Sequence, residues 1–127
     1  MIDFEYYKEK NRFMTHSFIE PVSVDEMGSV MKVELRDEIM NLNGYVHGGL
    51  FMTMADCAAG IAARADGRNY VTQSAHVNFI GNLKEGTIYA KASVVKRGKR
   101  VVIIRVSVVD ENDRLLMDGT YDMFCVL

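Results

Sequence analysis

The sequence predicts an α+β domain in which one antiparallel sheet of five or six strands wraps around a single long helix. Three observations predict it. Residues 50–63 (LFMTMADCAAGIAA) are small and apolar on every side, with Asp56 as the only charge. Four runs rich in β-branched residues follow, over 70–80, 87–95, 101–109 and 115–126, separated by polar turns. Ahead of the helix, residues 29–35 alternate with period two, Met31, Val33 and Leu35 on one face and Val30, Lys32 and Glu34 on the other. A helix apolar all round must be enclosed, and a sheet needs a second layer to bury its inner face.

The elements follow in order. A short amphipathic helix is expected over about residues 4–14, with Phe4, Tyr7 and Phe13 inward. Pro21, the only proline, falls in 18–24 and suits the start or edge of a first strand. Residues 37–46 form a polar connection containing Gly44. The central helix begins near Gly48 or Gly49 and ends around Ala65, about residues 48–65, with Gly67 as the stop. Its alanines and glycine (Ala55, Ala58, Ala59, Gly60, Ala62, Ala63) let a sheet approach closely. Residues 96–100 and 110–113 read as hairpin turns.

At 127 residues the chain is long enough for one core and short for two, so it reads as a single domain over 1–127. A net charge of −2 gives no bulk case for binding nucleic acid or an anionic membrane. No apolar run approaches the roughly 20 residues of a membrane span, and the N-terminus lacks the apolar stretch of a signal peptide. Cys57 and Cys125 are the only cysteines, without metal-ligand spacing, so no metal is expected and a reducing cytoplasm fits. Cys57 adjoins Asp56, but helical neighbours point about 100° apart, so a buried core thiol is the better reading.

The polar residues that chemistry could use are spaced in a recognisable way. Asn41-x-x-Gly44-x-x-His47-Gly48-Gly49 precedes Asp56, nine residues after the histidine; Thr72 opens the next strand, which carries Asn78-Phe79 before a bend over 82–86. An isolated His-Gly-Gly would say little; this set is specific. On these residues the chain resembles the hotdog-fold thioesterases, and within them the PaaI-like acyl-coenzyme A thioesterases of phenylacetate-pathway type. The resemblance runs from Ser29 to the C-terminus and departs in lacking the proline often found in the 82–86 bend. It implies a hotdog fold and hydrolysis of an acyl-CoA thioester, with CoA as part of the substrate and no separate cofactor.

Physical chemistry gives these residues work that fits. A helix N-terminus offers unpaired N–H groups and a positive dipole end, and glycine lets a carbonyl approach. Gly48 and Gly49 therefore suit an oxyanion site, where one donor is worth roughly 3 kcal/mol. The resemblance implies that Asn41 assists there and that His47 positions Asn41 or the thioester sulfur. Asp56 would be general base on water or nucleophile, two roles the sequence leaves open, and Thr72 would orient the water. Asp56 lies eight residues beyond Gly48, about 12 Å along the axis, too far for both to act on one carbonyl within one chain. That predicts active sites shared across a two-fold homodimer, with assembly into a tetramer left open.

Residues 96–100 place four cations around Gly98, so Arg97, Gly98 and Lys99, with Lys84 as a lesser candidate, either hold the CoA phosphates or form a solvated hairpin tip. The resemblance adds Asn78 and Phe79 as substrate contacts. Met52, Met54, Tyr45 and Phe79 are candidates to line the acyl pocket. His16 and His76 carry no supporting pattern. Two other functions compete. A hotdog hydratase would pair an acid and a histidine at the helix N-terminus, unlike Asp56 deep in the helix, and a non-catalytic acyl-CoA sensor would have no need of Asp56.

Overall fold

Among residues 2–126, which the computed structural model describes, helix α3 (Gly48–Arg64) is the element around which the others are arranged. His47 is extended and caps its first turn, while Gly67, at φ 87°, turns the chain away beyond its end. Leu50, Phe51, Met54, Ala58, Ile61 and Ala62 are among its buried residues.

Two short helices, α1 (Phe4–Lys10) and α2 (Arg12–His16), lead into the hairpin of β1 (Glu20–Asp25) and β2 (Gly28–Glu34). A 3-10 turn over Asp37–Ile39 precedes α3. After α3 come β3 (Tyr70–Phe79), β4 (Thr87–Arg97), β5 (Val101–Val109) and β6 (Leu115–Cys125). All pairings are antiparallel, in the order β1-β2-β4-β5-β6-β3. The expected sheet wrapped around one helix is therefore present, with six strands.

Alternation places Met31, Val33, Ile88, Ala90, Val102 and Ile104 on the face against α3, all fully or nearly fully buried. Alanines on the helix shorten the approach, and where Ser29 meets it the hydroxyl donates to the Ala58 carbonyl at 2.6 Å. A buried polar group is thereby satisfied. The sheet's two edges differ. β1 carries Pro21 beside a bulge, which blunts it against further pairing, whereas β3 is exposed along nearly its whole length.

The N-terminal segment departs from expectation. One helix over 4–14 is instead two, broken at Asn11 (ψ 74°), and the Thr15 hydroxyl bridges the break by donating to the Lys8 carbonyl at 2.6 Å. The break rotates the face presented to α3, so Met14 is fully buried and Phe13, expected inward, is 67% exposed. β4 also continues to Arg97 through a bulge near Val95, shortening the turn that follows. No helix among the described residues is long and apolar enough to cross a membrane.

Candidate active site

Residues four apart share a helix face. On α3 that rule aligns Met52, Asp56, Gly60 and Arg64, and this stripe forms the floor of a cleft of about 900 Å³ between α1–α2 and the β3–β6 end of the sheet. Asp56 is half-buried there. The Thr72 hydroxyl, at the start of β3, donates to Asp56 Oδ1 at 2.5 Å. Arg64, an alternative partner for that carboxylate, turns away and donates to Asn69 Oδ1 (2.8 Å) and the Tyr70 carbonyl (3.0 Å).

The other titratable groups near Asp56 stay neutral. Burial, with the Asp56 charge adding, pushes the Cys57 thiol up to about 12, despite the opposing Asn11 hydrogen bond. A thiol so held is no nucleophile near neutral pH. Burial, then the nearby Cys57, raises the Tyr7 phenol to about 12. The Tyr121 phenol is raised by burial and by Asp56, and its O–H donates to the Met52 carbonyl at 3.0 Å.

A second cluster surrounds the head of α3. His47 Nδ1 accepts from the Gly49 amide at 2.8 Å, which puts the proton of the neutral imidazole on Nε2. The Leu50 amide donates to the His47 carbonyl at 2.9 Å. Among the described residues the Gly48 amide has no acceptor, so of the two glycines it is the one open to a ligand. Asn41 Oδ1 accepts from the Asn43 and Tyr45 amides at 2.9 and 3.1 Å, shaping the loop and leaving its Nδ2 donor unused among these residues. The Phe79 ring lies 3.5 Å from where a Gly48 Cβ would stand. Asn82 braces the cluster from the bend after β3: its Nδ2 donates to the Val46 carbonyl and its Oδ1 accepts from the Val46 amide, both at 3.0 Å. A polar residue in a bend gave no sequence signal for that role; nor did anything mark Tyr7 and Asn11 as walls of the Asp56 cleft.

The basic turn forms a third group, at the opposite end of α3. Arg97 donates to the Ala62 and Ala63 carbonyls (3.1 and 3.0 Å), to the Glu26 carbonyl (2.8 Å) and to Asp66 Oδ2 (2.8 Å). Its guanidinium thus caps the helix C-terminus, where a cation also suits the dipole. Burial by itself would raise the Asp66 carboxyl, but hydrogen bonds from Tyr70 and Arg68 and the charge of Arg97 hold it at about 2. Gly98 permits the tight turn, since a Cβ would meet the Val101 carbonyl oxygen at 2.7 Å. Lys99 is exposed. Lys84 lies elsewhere, 4.9 Å above the Tyr45 ring near the head of α3. Asn78 donates to Asp118 Oδ1 at 3.2 Å across β3 and β6.

Of the expected site residues, the fold therefore joins Asp56 with Thr72, and separately gathers Asn41, His47, Gly48, Gly49 and Phe79. Asp56 and Gly48 remain about 12 Å apart along one rigid helix. No cluster suited to a metal ion occurs among the described residues.

A six-stranded antiparallel sheet wrapped on one long central helix defines a hotdog fold. The sequence pattern of the thioesterase superfamily matches residues 43–117, well over half the chain, and the chain belongs to that superfamily and is a thioester hydrolase. It is 28% identical over 101 residues to the 1,4-dihydroxy-2-naphthoyl-CoA hydrolase of Listeria monocytogenes, covering 77% of this chain and 82% of that protein. In structure it is similar to the PaaI protein of the Escherichia coli phenylacetic acid degradation operon, with a TM-score of 0.91 at 19% identity, over 97% of this chain and 90% of that one. A Streptococcus mutans protein bound to acetyl CoA shares the fold at a TM-score of 0.81 and 23% identity, over 85% and 88% of the two chains.

Proposed function

We propose that the chain hydrolyses acyl-CoA thioesters at sites completed by two copies of itself, each site taking Asp56 and Thr72 from one copy and Gly48 and Asn41 from the other. The observation that carries this reading is the separation of two half-sites along one helix. A thioester carbonyl on the Gly48 amide lies beyond reach of the same chain's Asp56, about 12 Å away. A two-fold axis beside β3 brings the complementary halves together. The exposed β3 edge, with Val71 and Ile80 apolar and half-exposed near its ends, supports that join.

The chemistry follows from the donors and acceptors. The Thr72 hydroxyl has one proton, given to Asp56 Oδ1, and its lone pairs remain to accept from water. Asp56 Oδ2 takes a proton from that water as its oxygen attacks the carbonyl carbon. Negative charge growing on the carbonyl oxygen meets the Gly48 N–H and Asn41 Nδ2 of the second copy. Collapse breaks the C–S bond, and the CoA thiolate leaves with the proton that Asp56 had taken. His47 holds the Gly49 amide and so fixes the helix head that presents Gly48. Lys84 and Lys99 are the exposed cations offered to the CoA phosphates; Arg97 supports the turn through the helix end.

The test is CoA release from acetyl-, hexanoyl- and benzoyl-CoA, followed with a thiol reagent. Asp56→Ala is expected to lower kcat at least about 100-fold. Release that continues at the wild-type rate in this variant contradicts the assignment.

A further inference from the structure

The Asp56 cleft continues past the carboxylate, along α3 to Arg64, and two cations, Arg64 and Lys10, line it. Arg64 closes that end, its two hydrogen bonds both going to neutral oxygens. Lys10 stands on the rim at the last turn of α1, its Nζ 5.8 Å from the Tyr6 ring centroid. Neither cation has a carboxylate within 4.0 Å among the described residues. Asp56 is the only acid among the cleft's described walls. The cleft thus carries one anion, Asp56, and two cations, Arg64 at the far end of the α3 stripe and Lys10 on the rim.

Between the two ends lies Gly60, one turn from each. A Cβ there would meet Met123 Cε and the Tyr7 hydroxyl at 3.8 and 3.9 Å, ordinary contacts that alanine would satisfy. Glycine inside a helix costs about 1 kcal/mol relative to alanine. Tyr7 and Asn11, from the two N-terminal helices, form the facing wall.

We propose that the acyl group taken by this site carries a carboxylate at its distal end, runs along the cleft from Asp56 toward Arg64, and is read by Arg64 with Lys10 on the rim. The inference rests on Asp56 acting at the thioester carbonyl. Asp56 and Arg64 are eight residues apart, about 12 Å, which leaves room for an acyl chain of about six carbons after a contact of about 3 Å at each end. An uncharged alkyl tail would cover the two cations without offering an acceptor, an unfavourable burial, whereas a carboxylate forms charge-assisted hydrogen bonds with both.

Adipoyl-CoA and hexanoyl-CoA share six acyl carbons and differ only in the terminal group. With the full chain, kcat/KM for adipoyl-CoA is expected to exceed that for hexanoyl-CoA by at least about tenfold. Arg64→Gln should bring the ratio toward one, Arg64→Lys should retain part of it, and raising salt to about 1 M should shrink it, as a charge contact requires. If Arg64→Gln does not fold, Lys10→Gln at the exposed end of α1 decides: a lowered ratio supports the inference and an unchanged ratio overturns it. A wild-type ratio of one or less also overturns it while leaving thioester hydrolysis standing. No CoA release from either substrate or from acetyl-CoA overturns both.

Discussion

Gly48 and Gly49 are neighbours at the head of α3, yet their amides do different things. Gly49 is tied to His47, and the Gly48 N–H has no acceptor among the described residues. Proline at the first position of a helix is well tolerated because that amide has no helical partner, and the preceding His47, at ψ 133°, already has the extended backbone proline requires. Gly48→Pro should therefore delete one donor with little change in thermal stability. Loss of a single oxyanion donor predicts a fall in kcat of about 100-fold; unchanged turnover would show that the amide takes no part. Asp66 supplies a second residue-level prediction. Its folded carboxyl, held at about 2, titrates below its unfolded counterpart near 4. Its contribution is complete above pH 4 and is lost as pH falls toward 2. Asp66→Asn should destabilise the fold at pH 7 by about 2 kcal/mol and weaken the loss of stability between pH 4 and 2. Urea unfolding at pH 7, 4 and 2 checks this, and an identical pH dependence in the variant contradicts it.

At the scale of elements, α3 acts as a ruler: its rigid rise keeps Gly48 and Asp56 apart, and the proposed mechanism therefore calls for a second copy. The exposed β3 edge is where that copy is expected to pair. Val71→Lys with Ile80→Lys, a charge near each end of β3, should raise the dimer dissociation constant at least about tenfold by sedimentation and lower activity in parallel. A mass and activity unchanged at micromolar protein would move the interface elsewhere. The elements also show what a sequence carries. α3 was legible because an all-round apolar run with a glycine pair before it and Gly67 after it has one ready interpretation, and β5 has the predicted bounds of 101–109 because nothing interrupts its β-branched run. The break at Asn11 was not legible, since residues 4–14 keep helical spacing through it. Its cause lies in Met14 seating in the core and in Thr15 reaching back to Lys8. Arg97 likewise reads as one cation in a basic turn; only the fold brings the carbonyls of Ala62 and Ala63 to it. Thr72 was expected to orient the water that Asp56 acts on; that its hydroxyl donates directly to Asp56, sixteen residues away in sequence, comes only from the meeting of α3 with β3.

For the whole molecule, the account's central claim is that each active site draws Asp56 from one copy and Gly48 from another. Asp56→Ala and Gly48→Pro damage different halves, so mixing the two variants decides it. In a heterodimer of the two, a shared-site arrangement makes one site intact and the other doubly defective. After unfolding together and refolding at equal concentrations, about half the dimers should be mixed, giving about a quarter of wild-type acyl-CoA hydrolysis from two nearly inactive proteins. If each chain instead holds a complete site, every site in the mixture carries one lesion and activity stays at the level of the separate variants. Recovery to about a quarter is the predicted result, and no recovery, with mixed dimers shown to form by mass, contradicts the claim.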